Sequence, residues 1–256
     1  MGDAREAPAG DFDYEANGGG YALRRQPDPR IAALVHEALG DARTVLNVGA
    51  GAGSYEPPDR HVVAVEPSAA MRAQRPRHLA PALDGAAERL PFDDDSFDAA
   101  MAMITVHQWS DLEAGLRELR RVSRGPVVLL TFDGDALPAF WMNDYFPEVV
   151  ATERGRFPAI DHLVDVLGGA AEVLAVPVPR DCTDGFGEAY YARPEAFLQD
   201  DVRAAQSGFV LTDPDAVARG AARLADDLAS GRWDERHGHL RDQPERVGAV
   251  RLIVAR

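Results

Sequence analysis

Residues 43–66, RTVLNVGAGAGSYEPPDRHVVAVE, contain the pattern that decides the fold of this chain. An apolar run at 45–48 leads into a glycine-rich segment, and a second apolar run at 62–65 stops at the acid Glu66. This order predicts a strand, a tight loop, a connection and a second strand. Glycines let the backbone turn sharply and let a ligand approach it, and a carboxylate after the second strand can meet ribose hydroxyls. The stretch therefore predicts a ligand that contains a nucleoside.

The spacing of the glycines narrows the choice of ligand. A dinucleotide fingerprint requires G-x-G-x-x-G, but the sixth position counted from Gly49 is Ser54, and the third glycine comes one position early at Gly53. The pattern is G-x-G-x-G instead. Gly49, Gly51 and Glu66 could still serve a nicotinamide enzyme, so an oxidoreductase stays as a less favoured alternative.

A second stretch, residues 84–109, is the most specific segment after the glycine loop. It reads DGAAERLPFDDDSFDAAMAMITVHQW, with an acid, Arg-Leu-Pro-Phe, a run of acids and Ser-Phe-Asp before an apolar strand. With the glycine loop upstream, it resembles the class I S-adenosylmethionine-dependent methyltransferases, in particular the small-molecule type 11 group. The resemblance implies an α/β, Rossmann-like, doubly wound sheet of seven strands in the order 3-2-1-4-5-7-6. It also implies that the last strand is antiparallel, and a mainly helical lid is expected before it.

Composition limits the partners. The formal net charge is −15 and the chain contains no lysine, so its electrostatic field should repel nucleic acid. The single cysteine, Cys182, excludes an internal disulfide, and no apolar stretch reaches the ~18 residues of a membrane span. We expect a soluble, cytoplasmic monomer or homodimer that acts on a small molecule, with no nucleic-acid or membrane partner.

The local patterns divide the chain into three parts. We expect a mobile N-terminal arm at 1–27, a cofactor-binding domain at 28–180 and 246–256, and a helical lid or substrate region at 181–245. Strands are predicted at 98–105, 127–132, 172–178 and 250–254, and helical patterns begin at Pro194 and at Asp213. A capping box at Ser110 and Glu113 predicts the start of another helix, while the aromatic-rich segment 134–157 is predicted to be irregular.

The resemblance also implies which residues hold S-adenosylmethionine and, after transfer, S-adenosylhomocysteine. An N-terminal tyrosine and arginine should cover the methionine end of the cofactor, and the acid after the second strand should hold the ribose. This chain has Ala86 where the family often has an acid for the adenine amine, so Asp84, Glu88 or a backbone carbonyl must replace it. The cofactor-binding candidates are Tyr21, Arg25, Asn47, Gly49, Ala50, Gly51, Glu66, Pro67, Met71, Ala87, Glu88, Thr105 and Val106.

Substrate and catalytic residues are harder to read, because a sulfonium methyl is already activated and the protein needs mainly to align the reactants. His107 follows a strand end and is the candidate base, since histidine titrates near neutral pH. Its ring could equally pack on the cofactor. The substrate-binding candidates are Tyr14, Trp109, Phe186 and Tyr190. His237 and His239 lack further ligands in sequence, so we predict no metal site.

The sequence therefore predicts an enzyme that transfers a methyl group from S-adenosylmethionine to a small-molecule acceptor through an O, N or C nucleophile. A role in secondary metabolism is compatible with this reading. A second reading keeps the same cofactor and fold but assigns a reaction other than methylation. The sequence does not distinguish these two, because the same glycines would serve both.

Overall fold

The computed structural model describes residues 12–18 and 21–256 of the chain. Its backbone is built around one sheet. The seven strands are β1 (Thr44–Val48), β2 (His61–Val65), β3 (Ala82–Leu83), β4 (Ala99–Met103), β5 (Val127–Phe132), β6 (Glu172–Pro179) and β7 (Glu245–Ala255).

The strand order is β3-β2-β1-β4-β5-β7-β6, which confirms the predicted order. The first five strands run parallel, with Val45 of β1 beside Val62 of β2 and Ala99 of β4. The last strand, β7, runs antiparallel to both β5 and β6. The carboxyl ends of β1, β2, β4 and β5 therefore meet at one edge, where ligands bind in open α/β sheets.

Strands β4 and β5, near the centre of the sheet, are stable because helices cover both of their faces. Every residue of β4 and β5 is buried, as expected of parallel strands between two helical layers. One face packs against Ile31 and Val35 of helix Pro29–Ala38. The other face packs against Leu116 and Leu119 of helix Leu112–Val122. This packing holds the strand ends, and the loops that follow them, in fixed positions.

The helices lie before and between the strands. The α-helices are α1 (Tyr14–Asn17), α2 (Tyr21–Arg24), α3 (Pro29–Ala38), α4 (Ala69–Ala73), α5 (Leu112–Val122), α6 (Pro147–Arg156), α7 (Ile160–Val166), α8 (Asp200–Ala204), α9 (Ser207–Leu211), α10 (Pro214–Ser230) and α11 (Arg232–His237). Short 3-10 helices lie at Val106–Gln108, Leu137–Ala139, Trp141–Asp144, Gly187–Tyr190, Pro194–Leu198 and Gly238–Asp242. No helix within the described ranges combines the length and apolar character that crossing a bilayer requires.

Several local predictions differ from the structure. The helix after β4 is capped by Asp111, whose carboxylate accepts from Ala114 N, and not by Ser110. Ser110 instead donates to Glu88. The segment 134–157, predicted to be irregular, contains two 3-10 helices and α6. The pattern at Pro194 gives only a 3-10 helix, whereas the pattern at Asp213 gives the whole of α10.

Candidate functional site

A large cleft lies at the carboxyl edge of the sheet. Its volume is about 1190 Å³, and it is lined by the glycine loop after β1, by residues 66–69, 71 and 72 after β2, by residues 84–88, and by residues 103–105, 108 and 109. All of these segments follow strand ends or precede helices, where loop backbone is exposed to a ligand. The cleft therefore lies where the sequence predicts a nucleoside-binding site.

The glycine loop has a backbone that other residues would adopt only with strain. Gly49, Gly51 and Gly53 have φ values of +67°, +49° and +95°, in the left-handed region that favours glycine. A Cβ atom at Gly49 would also collide with the hydroxyl of Thr105. The amides of Gly49 and Ala50 both donate to Val65 O, at 2.9 and 3.0 Å, which ties the loop to the end of β2. Gly49, Ala50 and Gly51 all line the cleft.

A buried ion pair supports the glycine loop from behind. Both carboxylate oxygens of Glu56 accept from Arg75 Nη2 at 3.0 Å, and the two side chains are 2% and 4% exposed. Asn47 Nδ2 donates to the same carboxylate at 2.9 Å. Asn47, predicted to contact the cofactor, therefore has its amide nitrogen directed to Glu56, and it is not among the residues that line the cleft.

Glu66 lies at the centre of the cleft wall. One carboxylate oxygen accepts from Gly51 N at 2.8 Å and the other from Ser68 N at 2.9 Å. Burial raises the pKa of Glu66 above its ordinary value, against the opposing effect of these two backbone hydrogen bonds. Each carboxylate oxygen can accept more than one hydrogen bond. The geometry thus fixes a carboxylate beside the glycine loop with acceptor capacity to spare.

Two loop segments, 84–88 and 105–109, form one part of the cleft wall, which we call the slot. Ala87 and Trp109 line it, and Trp109 packs so closely on Gly115 of α5 that a Cβ there would overlap the indole ring. Glu88 accepts from the amides of Ser110 and Asp111 at 2.8 and 3.1 Å, which joins the two walls of the slot. Trp109, predicted to bind substrate, therefore lies among the predicted cofactor residues.

A second, smaller cavity adjoins the cleft. Its volume is about 310 Å³, and it is enclosed by residues following β4, β5 and β6, by α6 and by the α8–α9 corner. Aromatic rings dominate its wall. They are Phe12, Phe132, Phe140, Phe157, Phe186 and Phe209.

The two cavities share part of their lining. Among the described residues, Phe12, Tyr14 and Ile104 line both. Ile104 follows β4 with a φ of +53°, which is rare for a β-branched residue and typical of the strained positions found at functional sites. A ligand in the cleft and a ligand in the second cavity would thus meet beside Ile104.

The structure brings some of the predicted substrate residues together. His107, Phe186 and Tyr14 line the second cavity, and the centre of the His107 ring is 4.6 Å from that of Phe157. Tyr190 is buried behind this wall, packed on Phe197 at 5.6 Å between ring centres. Its predicted contact with substrate stays a prediction.

The predicted cofactor residues outside the glycine loop have varied positions. Pro67, Met71, Ala87 and Thr105 line the cleft with the residues described above, while Val106 is buried beside it. Arg25 lines the second cavity, where its Nε donates to Asp184 Oδ1 at 2.5 Å. The side chain of Tyr21 lies outside the described residues.

Sequence reasoning missed several residues of the second cavity. Phe132 ends β5, and Phe157 follows α6, yet nothing in the local pattern distinguishes them from core residues. The aromatic richness of 134–157 was a usable signal, because an apolar cavity needs such side chains. Asp184, which accepts from both Arg25 and the Tyr55 hydroxyl, had no partner that could be identified from the sequence.

Comparisons with known proteins agree with this geometry. The family model described as "Methyltransferase domain" matches residues 46–129. A solved structure, described as a methyltransferase from an antibiotic biosynthesis pathway of Anabaena variabilis, is 32% identical with a TM-score of 0.84. It covers 91% of this chain, and this chain covers 99% of it.

Curated relatives match over shorter stretches. The demethylmenaquinone methyltransferase of Mycolicibacterium gilvum is 40% identical over 113 residues, which are 43% of this chain and 45% of the relative. The malonyl-[acyl-carrier protein] O-methyltransferase of Halorhodospira halophila is 29% identical over 132 residues, which are 45% and 43%. The chain thus spans less than half the length of these curated relatives.

Three observations lead to one family. They are the sheet order, the glycine loop with its following acid, and the similarity to the Anabaena variabilis structure over 91% of this chain. The chain belongs to the class I S-adenosylmethionine-dependent methyltransferases.

Proposed function

We propose that this protein transfers a methyl group from S-adenosylmethionine to a small-molecule acceptor, with the donor in the cleft and the acceptor in the second cavity. The observation that carries the proposal is the junction at Ile104, where the two cavities meet. Transfer requires donor and acceptor in line and in contact, and alignment alone can lower a barrier by ~7–11 kcal/mol. A cavity of about 310 Å³ suits a small acceptor better than a polymer.

The residues of the cleft fit the proposed cofactor. The left-handed backbone at Gly49 and Gly51 allows close approach, and the buried carboxylate of Glu66 can accept from ribose hydroxyls. We assign the adenine ring to the part of the cleft lined by Ala87 and Trp109, where the indole offers an aromatic surface for stacking. Met71 packs against Gly51 and extends the wall of the cleft beside the glycine loop. We assign the methionine end to the region of Tyr14 and Thr105.

The bound cofactor would supply an electrophilic methyl group on a sulfonium. The chain itself has to exclude water, orient the acceptor and accept a proton where the nucleophile is a hydroxyl. The phenylalanine rings of the second cavity exclude water. A ring nitrogen of His107, held against Phe157, accepts the proton from the acceptor.

The proposal extends to the class of acceptor, the location and oligomeric state of the protein, and the segments that cover the acceptor. The net charge of −15 supports a small molecule over a nucleic acid, and we propose a cytoplasmic monomer or homodimer. The named pathway of the cyanobacterial structure supports a role in secondary metabolism. Residues 181–245 supply part of the cover over the acceptor, and residues 137–157 supply another part.

Two measurements test the proposal. Calorimetric titrations should detect binding of S-adenosylmethionine and S-adenosylhomocysteine and no binding of NAD. Incubation with S-adenosylmethionine and a panel of small acceptors should then release S-adenosylhomocysteine, measured by mass spectrometry. Consumption of an acceptor without this product would identify a different reaction on the same fold, and NAD binding in place of the methyl donor would overturn the assignment of the cleft.

A further inference from the structure

We infer that the acceptor is an uncharged, ring-bearing molecule with one hydroxyl or carbonyl group distant from its reacting atom. The inference rests on the proposed methyl transfer, since it assigns the second cavity to the acceptor. Three features carry it: the aromatic wall near the junction, the ion pairs formed by the charged residues of the described lining, and the neutral polar groups at the α8–α9 corner.

The aromatic wall has the geometry of a ring-binding site. The rings of Phe157 and Phe132 are 5.1 Å apart between centres, and Phe132 meets Phe186 edge-on at 5.5 Å and 70°. These separations are those at which aromatic pairs attract one another. A planar ring in the cavity gains similar edge and face contacts by packing against the side of this cluster that lines the cavity, where Ile104 and His107 also lie.

The charged residues that the N-terminal segment contributes to the cavity wall form ion pairs within the protein. Among the described residues that line the cavity, Arg24 pairs with Asp201, and Arg25 pairs with Asp184. Asp184 is 2% exposed, so the second pair is held in the interior. Neither arginine presents an uncompensated positive charge to a ligand.

The two remaining charged residues of the described lining are the acids Glu153 and Glu188, and each has an arginine behind it. Arg156 Nη1 is 3.1 Å from Glu153 Oε1, and Arg246 Nη1 is 2.7 Å from Glu188 Oε1. Glu188 also accepts from Ala249 N at 2.7 Å. A charged acceptor would lose its hydration on entering and would find no uncompensated opposite charge, which is costly in an apolar cavity.

Neutral polar groups line the corner between α8 and α9. Gln206 and Ser207 both face the cavity, with Gln206 Nε2 fixed by Val202 O at 3.1 Å and Ser207 Oγ accepting from Arg156 at 2.8 Å. An amide and a hydroxyl suit a hydroxyl or carbonyl oxygen on the ligand. The aromatic wall and this corner together determine the class: an apolar ring that packs on the wall and a neutral oxygen that Gln206 or Ser207 can bind.

The first test compares three probes of nearly equal shape: 2-naphthol, 2-naphthoate and 2-naphthylmethylammonium. Each is titrated into the wild-type protein at pH 7.5, with and without saturating S-adenosylhomocysteine. We expect 2-naphthol to bind at least ten-fold more tightly than either charged probe. Equal or tighter binding of a charged probe, or no binding of 2-naphthol, would overturn the inference.

The second test changes the charge of the cavity. Arg156→Gln removes one positive charge beside Glu153, and with it the donor to Ser207 Oγ, so the affinity for 2-naphthylmethylammonium should rise at least five-fold while that for 2-naphthoate does not rise. The matched control is Arg117→Gln, which removes an exposed arginine from its pair with Glu113 on α5 and should change neither affinity. A folded R156Q protein without this gain would contradict the inference.

The two tests also separate this inference from the proposed function. Binding of S-adenosylhomocysteine is measured independently of the probes, so its absence would overturn the methyl-transfer proposal, while the probe ranking on the free protein still decides the nature of the cavity. Should R156Q fail to fold, judged by its melting curve, the wild-type ranking alone decides.

Discussion

The cleft and the second cavity adjoin at one edge of the sheet, but they are built by different means. The cleft owes its shape to backbone, with left-handed glycines, amides bonded to Val65 O and a carboxylate held by two amides. The second cavity owes its shape to side chains that come from the strand ends, α6, and the α8–α9 corner. A site built from backbone depends on a few positions that allow no substitution, while one built from side chains tolerates change and can be adapted to new acceptors.

The largest expected effect is on the backbone-built cleft. Gly49→Ala places a Cβ against Thr105 and forces a non-glycine residue into a left-handed conformation, so S-adenosylhomocysteine should bind about 100-fold more weakly or not at all, a loss of roughly 3 kcal/mol. Calorimetry measures the affinity. The control is Gly40→Ala, which carries the same strain at φ +58° with no atom near the new Cβ. Equal losses in both variants would show that a general loss of stability, and not the change in the glycine loop, explains the result.

The next effect concerns the boundary between the two regions. His107→Gln should lower kcat about 100-fold for a hydroxyl acceptor, because a general base typically contributes factors of this size. The KM for the acceptor and the affinity for S-adenosylhomocysteine should change little. Steady-state kinetics separate these quantities. A rise in KM with unchanged kcat would show that His107 only packs against the acceptor.

The next prediction concerns Glu66, the charged residue of the cleft wall that we assign to the ribose. Glu66→Gln should weaken the binding of S-adenosylhomocysteine about 10- to 100-fold, since a hydrogen bond to a charged group contributes roughly 1.5–3 kcal/mol. A matched exchange at Glu113, on the exposed face of α5, should have no effect.

The same residue predicts a pH dependence. Burial raises the pKa of Glu66, and the ionised carboxylate, present above that pKa, is the better acceptor. The affinity of the wild-type protein should therefore fall as the pH drops through a range above the ordinary glutamate value of 4.5. The Gln variant should lose this dependence. A pH profile that is the same in both proteins would rule out Glu66 as the titrating group.

The smallest effect is expected in the side-chain-built cavity. Phe186→Leu removes an edge-on aromatic contact with Phe132, so the KM for the acceptor should rise about 2- to 10-fold, in line with ~0.5–1.5 kcal/mol for such a pair. Phe92→Leu, which alters a ring pair with Phe97 outside the cavity, is the control. If the affinity for S-adenosylhomocysteine fell as well, the two regions would not be independent.

The same contrast explains what the sequence could predict. The positions of Gly49 and Gly51 follow from a local pattern, because left-handed backbone requires glycine there, and the order of the seven strands follows from the family resemblance that this pattern supports. The lining of the second cavity does not follow in this way. Phe132, Phe157 and Phe186 are far apart in the chain and become neighbours only after the sheet and its helical cover assemble.

Side-chain partners were the least predictable feature. The family resemblance implies a cofactor contact for Arg25, but its Nε donates to Asp184, which lies 159 residues away in the chain. At Ser110 the local pattern was correct in kind and wrong by one residue, because Glu88 takes the hydroxyl and leaves the cap to Asp111. Such choices depend on tertiary neighbours that no local window contains.

The buried pair of Glu56 and Arg75 behind the glycine loop has a kinetic consequence. Because the loop is fixed before any ligand arrives, binding should lose little conformational entropy at this wall of the cleft. We therefore expect association to be fast and nearly equal for the wild-type protein and for variants that leave this pair intact. Differences in affinity should then appear as differences in residence time, and stopped-flow measurement of the tryptophan fluorescence, to which Trp109 of the cleft contributes, can follow both rates.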